Sequence, residues 1–237
     1  MEIRKGKLLK DGKTKKVFAT ANADVLVLSF KNEIPVGEKR EILKGKTIGR
    51  QAAAVSGHIF KFLANYHIST HFIDMSKPGE MAVRRLSMIP LTVWVWNGAS
   101  GYLCRRYGFG KGKILDVPVI ETYWKNEAFH NPMIQSDHAL ALGLLKQPEM
   151  QEIDRQARKI NAVLKDFFAR RSLMLADFTL EFGLLNNDIV LGDEFSPDTF
   201  RVWDVPHEGT VDLSRFQFGK HDAETVFSEI AGRIELH

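Results

Sequence analysis

A single cysteine, Cys104, stands in a chain of 237 residues. No disulfide can close within it, and a reducing compartment is its natural setting. Long hydrophobic runs are missing too: none reaches bilayer length, and the opening MEIRKGKLLKDGK lacks the apolar stretch of a secretory signal. These absences predict a cytoplasmic protein without membrane attachment. Charge of one sign is equally scarce, since 33 basic against 29 acidic residues leave a net +4 spread along the chain. That balance suits phosphorylated small molecules, and the broad basic face with interleaved aromatics that nucleic acid would want is not evident. The eight histidines show no metal-ligand spacing, and Cys104 in LCRR has no base beside it, which argues against a histidine metal cage and a cysteine nucleophile. Internal repeats, low-complexity tracts and linkers are lacking as well.

What remains is ordinary for a globular enzyme: 44% hydrophobic and 26% charged residues, enough for one compact unit or two tightly joined lobes. Residues 7–30 read as a β-hairpin or meander, with a turn at Lys10–Lys13 and strands at 17–20 and 25–28. Residues 31–46 are polar, contain Gly and Pro, and read as a loop. Apolar residues at helical spacing (Ile48, Ala52, Val55, Ile59, Phe62) predict a helix over 47–65, and Ile153, Ala157, Ile160, Leu164 and Phe167 predict a longer one over 150–171. Strands are expected around 71–73, 81–83 and 91–96, and a C-terminal helix over 222–234. Strands first and helices interleaved later imply an α+β protein with a mostly antiparallel sheet.

The most informative stretch is 177–204, DFTLEFGLLNNDIVLGDEFSPDTFRVWD. Phe178, Leu180 and Phe182 alternate with Asp177, Thr179 and Glu181, the period of a strand with one buried face. A turn at Asn186-Asn187-Asp188 leads to Ile189-Val190-Leu191, then Gly192, Asp193 and Glu194. Carboxylates gathered by a hairpin repel one another unless a cation sits among them, and Mg²⁺ takes one or two carboxylates plus phosphate oxygens; a solvated acidic hairpin is the bland alternative. Upstream, Gly12-Lys13-Thr14-Lys15-Lys16 sets lysines beside a glycine turn, and strand alternation would put Lys13 and Lys15 on one face. Such a pair can neutralise a triphosphate, although the spacing is not that of a P-loop and a lysine-rich turn is more often solvated surface. Arg201 is either an anion-binding fork or the partner of Asp198 or Asp204.

LEFG followed by LGDEFSPDTFRVWD resembles the signature of the SAICAR synthetase family, ligases that join aspartate to the carboxylate of an aminoimidazole ribonucleotide in purine synthesis. GKTKKVFAT, STHFID, RRLSMIPL, LCRRYG and KNEAFHNPMI follow in the family's order. The resemblance implies a two-lobed α+β fold with antiparallel sheets, ATP between the lobes, a nucleotide-binding lobe over 1–90 and a larger lobe over 91–237 with the metal and acceptor site. It implies ATP and Mg²⁺ as cofactors, and catalytic roles for Lys13, Asp177, Glu181 and Asp193, with Glu181 and Asp193 on the metal. Lys13 and Lys15 would hold phosphates, and Val83 and Met88 would flank the adenine. Arg201, Trp96, Tyr102, Lys125, Arg50 and Arg215 would face the substrates. Partners would be small molecules (ATP, an amino acid, an azole carboxylate), with neither nucleic acid nor membrane, and self-association is left open.

The departures are as informative. Trp96 stands where the family has an arginine that grips the ribonucleotide, and Tyr102 where it has a serine that binds the same phosphate. Thr179 replaces a lysine, Asn131 an aspartate, and Arg50 and Gln51 a pair of asparagines. In place of Lys-Asp-Arg-Phe-Arg stands Leu213-Ser214-Arg215-Phe216-Gln217. Two aromatic residues in place of two anion-binding groups offer flat surfaces for stacking, or simply core packing. The leading expectation is therefore a specialised relative of the purine enzyme with a changed acceptor. The purine enzyme itself is the runner-up, and an inactive nucleotide-binding relative comes third.

Overall fold

In the computed structural model, residues 3–36, 41–207, 210–218 and 221–235 are described. They fall into two compact units, each containing residues distant in sequence. The first comprises Met1–Leu86, Glu194–Thr199 and Ser214–His237; the second comprises Ser87–Asp193 and Phe200–Leu213. The expected continuous blocks 1–90 and 91–237 are thus replaced by units that share the C-terminal third. Physically, the chain returns to the first unit twice after leaving it.

The first unit is built on an antiparallel sheet of β1 (Leu8–Asp11), β2 (Lys15–Ala19) and β3 (Val25–Phe30), to which two later strands add. Residues expected to be loop instead form a hairpin, β4 (Glu33–Val36) with β5 (Glu41–Lys44), in the register Ile34↔Leu43; the tip at 37–40 lies outside the described residues. Helix α1 (Ile48–Ala64) buries Ile48, Ala52, Val55, Ile59 and Leu63 along one stripe, as its periodicity predicts. Gly49 allows its first turn to approach closely: an added Cβ would lie 2.7 Å from the Phe30 carbonyl oxygen. β6 (Phe72–Lys77) and β7 (Glu80–Arg84) complete the order β1-β2-β3-β7-β6. The C-terminal helix (Ala223–Glu235) closes a core cluster in which Ala223 and Phe227 meet Ile34, Ile48 and Ala52.

The second unit starts at β8 (Ser87–Gly98), followed by the short helix α2 (Gly101–Tyr107) and β9 (Ile114–Trp124). β10 (Met133–Ile134), α3 (Ser136–Ala141) and the long α4 (Gln147–Ala169) come next. Then follow β11 (Leu173–Leu185), β12 (Asp188–Leu191) and β13 (Phe200–Asp204). The sheet runs β10-β9-β8-β11-β12, all antiparallel, with β13 pairing the first half of β11. Asn186 and Asn187 form a two-residue turn with φ of 51° and 70°, the left-handed pair that suits the twist of a tight hairpin and that asparagine tolerates.

Strand alternation sorts this sheet into two faces. On one, Val93, Val95, Phe178, Leu180 and Phe182 are buried, and α4 covers that side through Phe168 on Phe200, 5.2 Å between rings. Asn97 and Asn161 exchange amide hydrogen bonds of 2.8 and 3.0 Å there, so both buried amides are satisfied. The other face takes the alternate residues. Cross-strand register pairs Asp177 with Trp96, Thr179 with Trp94 and Glu181 with Thr92, and Trp94 in turn with Glu121. The acids of β11 are thus placed on one face by the period-2 pattern that reads as a strand in the sequence.

Candidate active site

Asp177 lies beside a register irregularity of β11 and pairs across the ladder with Arg201 of β13. Its carboxylate is almost wholly buried and accepts from Arg201 Nε at 2.7 Å and Nη2 at 2.8 Å, a bidentate fork that fixes the guanidinium plane. Trp94 Nε1 donates to the same carboxylate at 3.0 Å, and Ser100 Oγ stands 3.4 Å from it. The Arg201 guanidinium also lies over the rings of Trp94 and Trp96, at 5.7 and 5.4 Å. Its side chain stays 43% exposed, which leaves a cation open to solvent beside the buried carboxylate.

Glu181 is gripped by Lys125, whose ammonium lies 2.6 and 2.5 Å from the two carboxylate oxygens. Lys125 is set at the end of β9 by its backbone bond to Pro90. The Gly192 N–H donates to the Glu181 carbonyl at 2.8 Å, so Asp193 leaves the strand immediately beside Glu181. Asp193 does so at φ 60°, a conformation unfavourable for most side chains and tolerated by aspartate. Among the described residues no three His, Cys, Asp or Glu side chains form a metal cage. One or two carboxylates are nevertheless the usual protein share of an Mg²⁺ shell when phosphates complete it, so the type of donor that Glu181 and Asp193 offer fits that ion.

Trp96 corrects an expectation. It is 0% exposed, stacked on Trp94 at 4.4 Å between centroids and packed with Ala99, Leu103 and Leu115. Its indole N–H donates to Glu121 at 3.1 Å. α2 and the start of β9 supply that cover, so Trp96 is core and offers no face to a ligand. Tyr102, on α2, is 45% exposed with Arg105 over its ring at 4.7 Å. Glu121, which the sequence reading passed over, is the centre of a further network. It accepts from Tyr123 at 2.8 Å, Arg106 at 3.0 Å and Tyr107 at 3.3 Å. Burial, then the bond to Glu121, pushes the Tyr123 phenol up to about 12, while its bond to Tyr123 chiefly holds Arg106 further above its ordinary value.

The remaining expected residues lie in the first unit, Met88 excepted. Lys13 sits exposed in the bend before β2, off the strand, and only Lys15 lies on it. Lys15 meets Glu194 at 2.5 Å, and Thr14 Oγ1 donates to the same oxygen at 2.7 Å. Glu194, Ser196 and Asp198 of GDEFSPD form a hydrogen-bonded group with these two, a pairing that no local pattern announces. Val83 is 1% exposed and is core to the β-sheet; as an adenine wall it would have to be uncovered. Met88, in the second unit, is 45% exposed. Arg50 is exposed on α1, and exposed Arg215 pairs with Glu229 of the C-terminal helix at 3.2 Å.

The family model of SAICAR synthetase matches residues 8–233. The chain belongs to the SAICAR synthetase family. It is 41% identical to the phosphoribosylaminoimidazole-succinocarboxamide synthase of Chlorobium phaeobacteroides, over 98% of both chains. Among solved structures it resembles the synthase of the same name from Ehrlichia chaffeensis, with a TM-score of 0.89, 31% identity, and 96% and 98% of the two chains covered. A type-2 SAICAR synthetase in complex with ADP matches with a TM-score of 0.88 at 37% identity, over 95% of this chain and 97% of the other. As a SAICAR synthetase family member the chain is an ATP-dependent ligase that forms a carbon–nitrogen bond. No helix among the described residues is long and apolar enough to cross a membrane.

Proposed function

We propose that this chain performs the purine-pathway reaction, joining L-aspartate to the carboxylate of carboxyaminoimidazole ribonucleotide at the expense of ATP. The observation that carries this reading is the match along 98% of the chain to relatives named for that activity. Burial of Trp96 supports it as well, since the stacking surface that favoured another acceptor is not available. A carboxylate is a poor electrophile toward an amine. Its oxygen therefore attacks the γ-phosphorus, ADP leaves, and the aspartate amine then displaces phosphate from the acyl carbon.

In that chemistry the protein mainly positions groups and neutralises charge. Lys13 and Lys15 hold the nucleotide phosphates, and the first unit, which contains them, is the nucleotide-binding part. Glu181 and Asp193 would hold Mg²⁺, which would supply charge neutralisation. Lys125, ion-paired to Glu181, gives the second carboxylate-binding cation of the same face. Arg201, pre-oriented by Asp177, takes the ribonucleotide phosphate, with Tyr102, Arg50 and Arg215 as further substrate contacts. The setting is cytoplasmic, and a homo-oligomer is compatible with it.

A second reading, a family member with a different acceptor, is favoured by one observation: Trp96 and Tyr102 occupy the positions of an arginine and a serine expected to grip the acceptor. Losing such a cation costs on the order of 2–5 kcal/mol unless another replaces it. The test is ADP release with ATP, Mg²⁺ and L-aspartate, with and without the imidazole ribonucleotide. Strong stimulation with the succinocarboxamide product seen by mass upholds the purine reading. Nucleotide binding without stimulation by that acceptor sinks it and leaves the second.

A further inference from the structure

The Ser196 hydroxyl stands between two carboxyl groups: it lies 3.0 Å from Glu194 Oε2 and contacts Asp198 Oδ1 as well. A hydroxyl has one proton to give. It can satisfy one carboxylate, and the second contact is repulsive unless that carboxyl brings a proton of its own. Glu194 is the member with the external donors, Thr14 Oγ1 and the Lys15 ammonium, both on Oε1. The second proton therefore belongs on Asp198. Counting donors fixes the direction of the chain: the Asp198 carboxyl donates to Ser196 Oγ, which donates to Glu194 Oε2, while Glu194 Oε1 holds Lys15.

We infer that Asp198 is a protonated positioning residue that, through Ser196, fixes the carboxylate holding Lys15, and that loss of its proton weakens nucleotide binding. Burial first, and the Glu194 charge second, push Asp198 up to about 7. The charged groups that act most strongly on it are Glu194, which raises it, and Lys15, which lowers it; the Ser196 bond lowers it too. With Asp198 neutral, the charges of Lys15 and Glu194 cancel. With Asp198 ionised the group carries one net negative charge, on a surface meant for phosphates. The inference rests on the reading that Lys15 meets the nucleotide, and it adds the residue that sets how freely Lys15 can do so.

Asp198→Asn is the decisive variant, because its amide still donates and cannot ionise. Binding of ADP with Mg²⁺ is measured by calorimetry from pH 6 to 8.5 for both proteins, so that the ligand's own titration cancels in their ratio. Carbon-13 carboxyl NMR follows Asp198 directly, and circular dichroism checks that the variant is folded. The expected result is a carboxyl midpoint near neutrality that vanishes in the variant, and wild-type affinity falling about fivefold relative to it across the range. An Asp198 carboxyl already ionised at pH 6 overturns the proton assignment. A neutral-range midpoint with a flat affinity ratio overturns the link to Lys15. Absence of ADP binding by either protein at any pH overturns the nucleotide reading of Lys15, and the inference with it.

Discussion

Removing either partner of the Asp177–Arg201 pair breaks the same two hydrogen bonds, yet the two deletions should differ in cost. The Asp177 side chain is 3% exposed and that of Arg201 43%. Arg201→Ala strands a buried carboxylate that keeps only the Trp94 and Ser100 contacts, and stranding a buried charge costs about 3–5 kcal/mol. Asp177→Ala leaves a guanidinium that can turn to water, plus an unpaired indole N–H, for a loss of about 1–3 kcal/mol. The double variant should fall short of the sum, because once Arg201 is gone the removal of Asp177 relieves the stranded charge. Urea unfolding of the wild type, both single variants and the double variant measures this order directly. Equal losses, or a costlier Asp177→Ala, would refute the reasoning that burial asymmetry governs the pair.

The site itself gives a sharp test: Asp193→Asn should abolish ligation while circular dichroism and the melting temperature stay near wild type, and unchanged turnover would remove Asp193 from the metal shell. Trp96→Phe leaves Glu121 without its indole donor and should cost about 1–3 kcal/mol in stability; thermal melts unchanged from wild type would show that the bond contributes nothing. Gly49→Ala must push an added Cβ off the Phe30 carbonyl at 2.7 Å, so a loss of about 1–3 kcal/mol is expected, and a neutral melt would show that α1 shifts freely. Folded Asp198 keeps its proton to about 7 while the unfolded residue releases it near 3.8. The folded state therefore binds the extra proton in that window, and wild-type stability relative to Asp198→Asn should fall as pH rises through it and level off above. Parallel melting curves from pH 4.5 to 8 would contradict this.

Elements with a clean period were legible in the sequence, and those without one were not. Helices α1 and α4 and the β11–β12 hairpin follow directly from their apolar spacing and the Asn186-Asn187 turn. β9 escaped because Pro118 sits inside it, a residue that usually marks a strand's edge or end, and because its buried positions do not alternate. The β4–β5 hairpin looked like a loop because Pro35 interrupts it and β5 is mostly exposed. α2 is one short stretch opened by Gly101 at φ 43°, too brief to show a helical period. In the site, the type of each acid and base could be read, but not its partner. Lys15 and Glu194 are 179 residues apart and Lys125 and Glu181 are 56 apart, distances over which only the folded chain fixes the pairing. Burial of Trp96 depends on the cover that α2 provides, which alternation along β8 cannot reveal.

Synthesis of the polypeptide proceeds from one end, while the first unit is assembled from both. Its opening 86 residues wait for Glu194–Thr199 and Ser214–His237, and Ile34, Ile48 and Ala52, with Phe30 and Leu43 beside them, stay incompletely covered until Ala223 and Phe227 arrive. A nascent or truncated chain ending before that helix would carry an exposed apolar patch, the kind of surface that chaperones bind and that drives aggregation. The second unit, closed by residue 213, has no such wait. Order of emergence at the ribosome thus favours completion of the later unit first, and C-terminal truncation should be read out as loss of solubility.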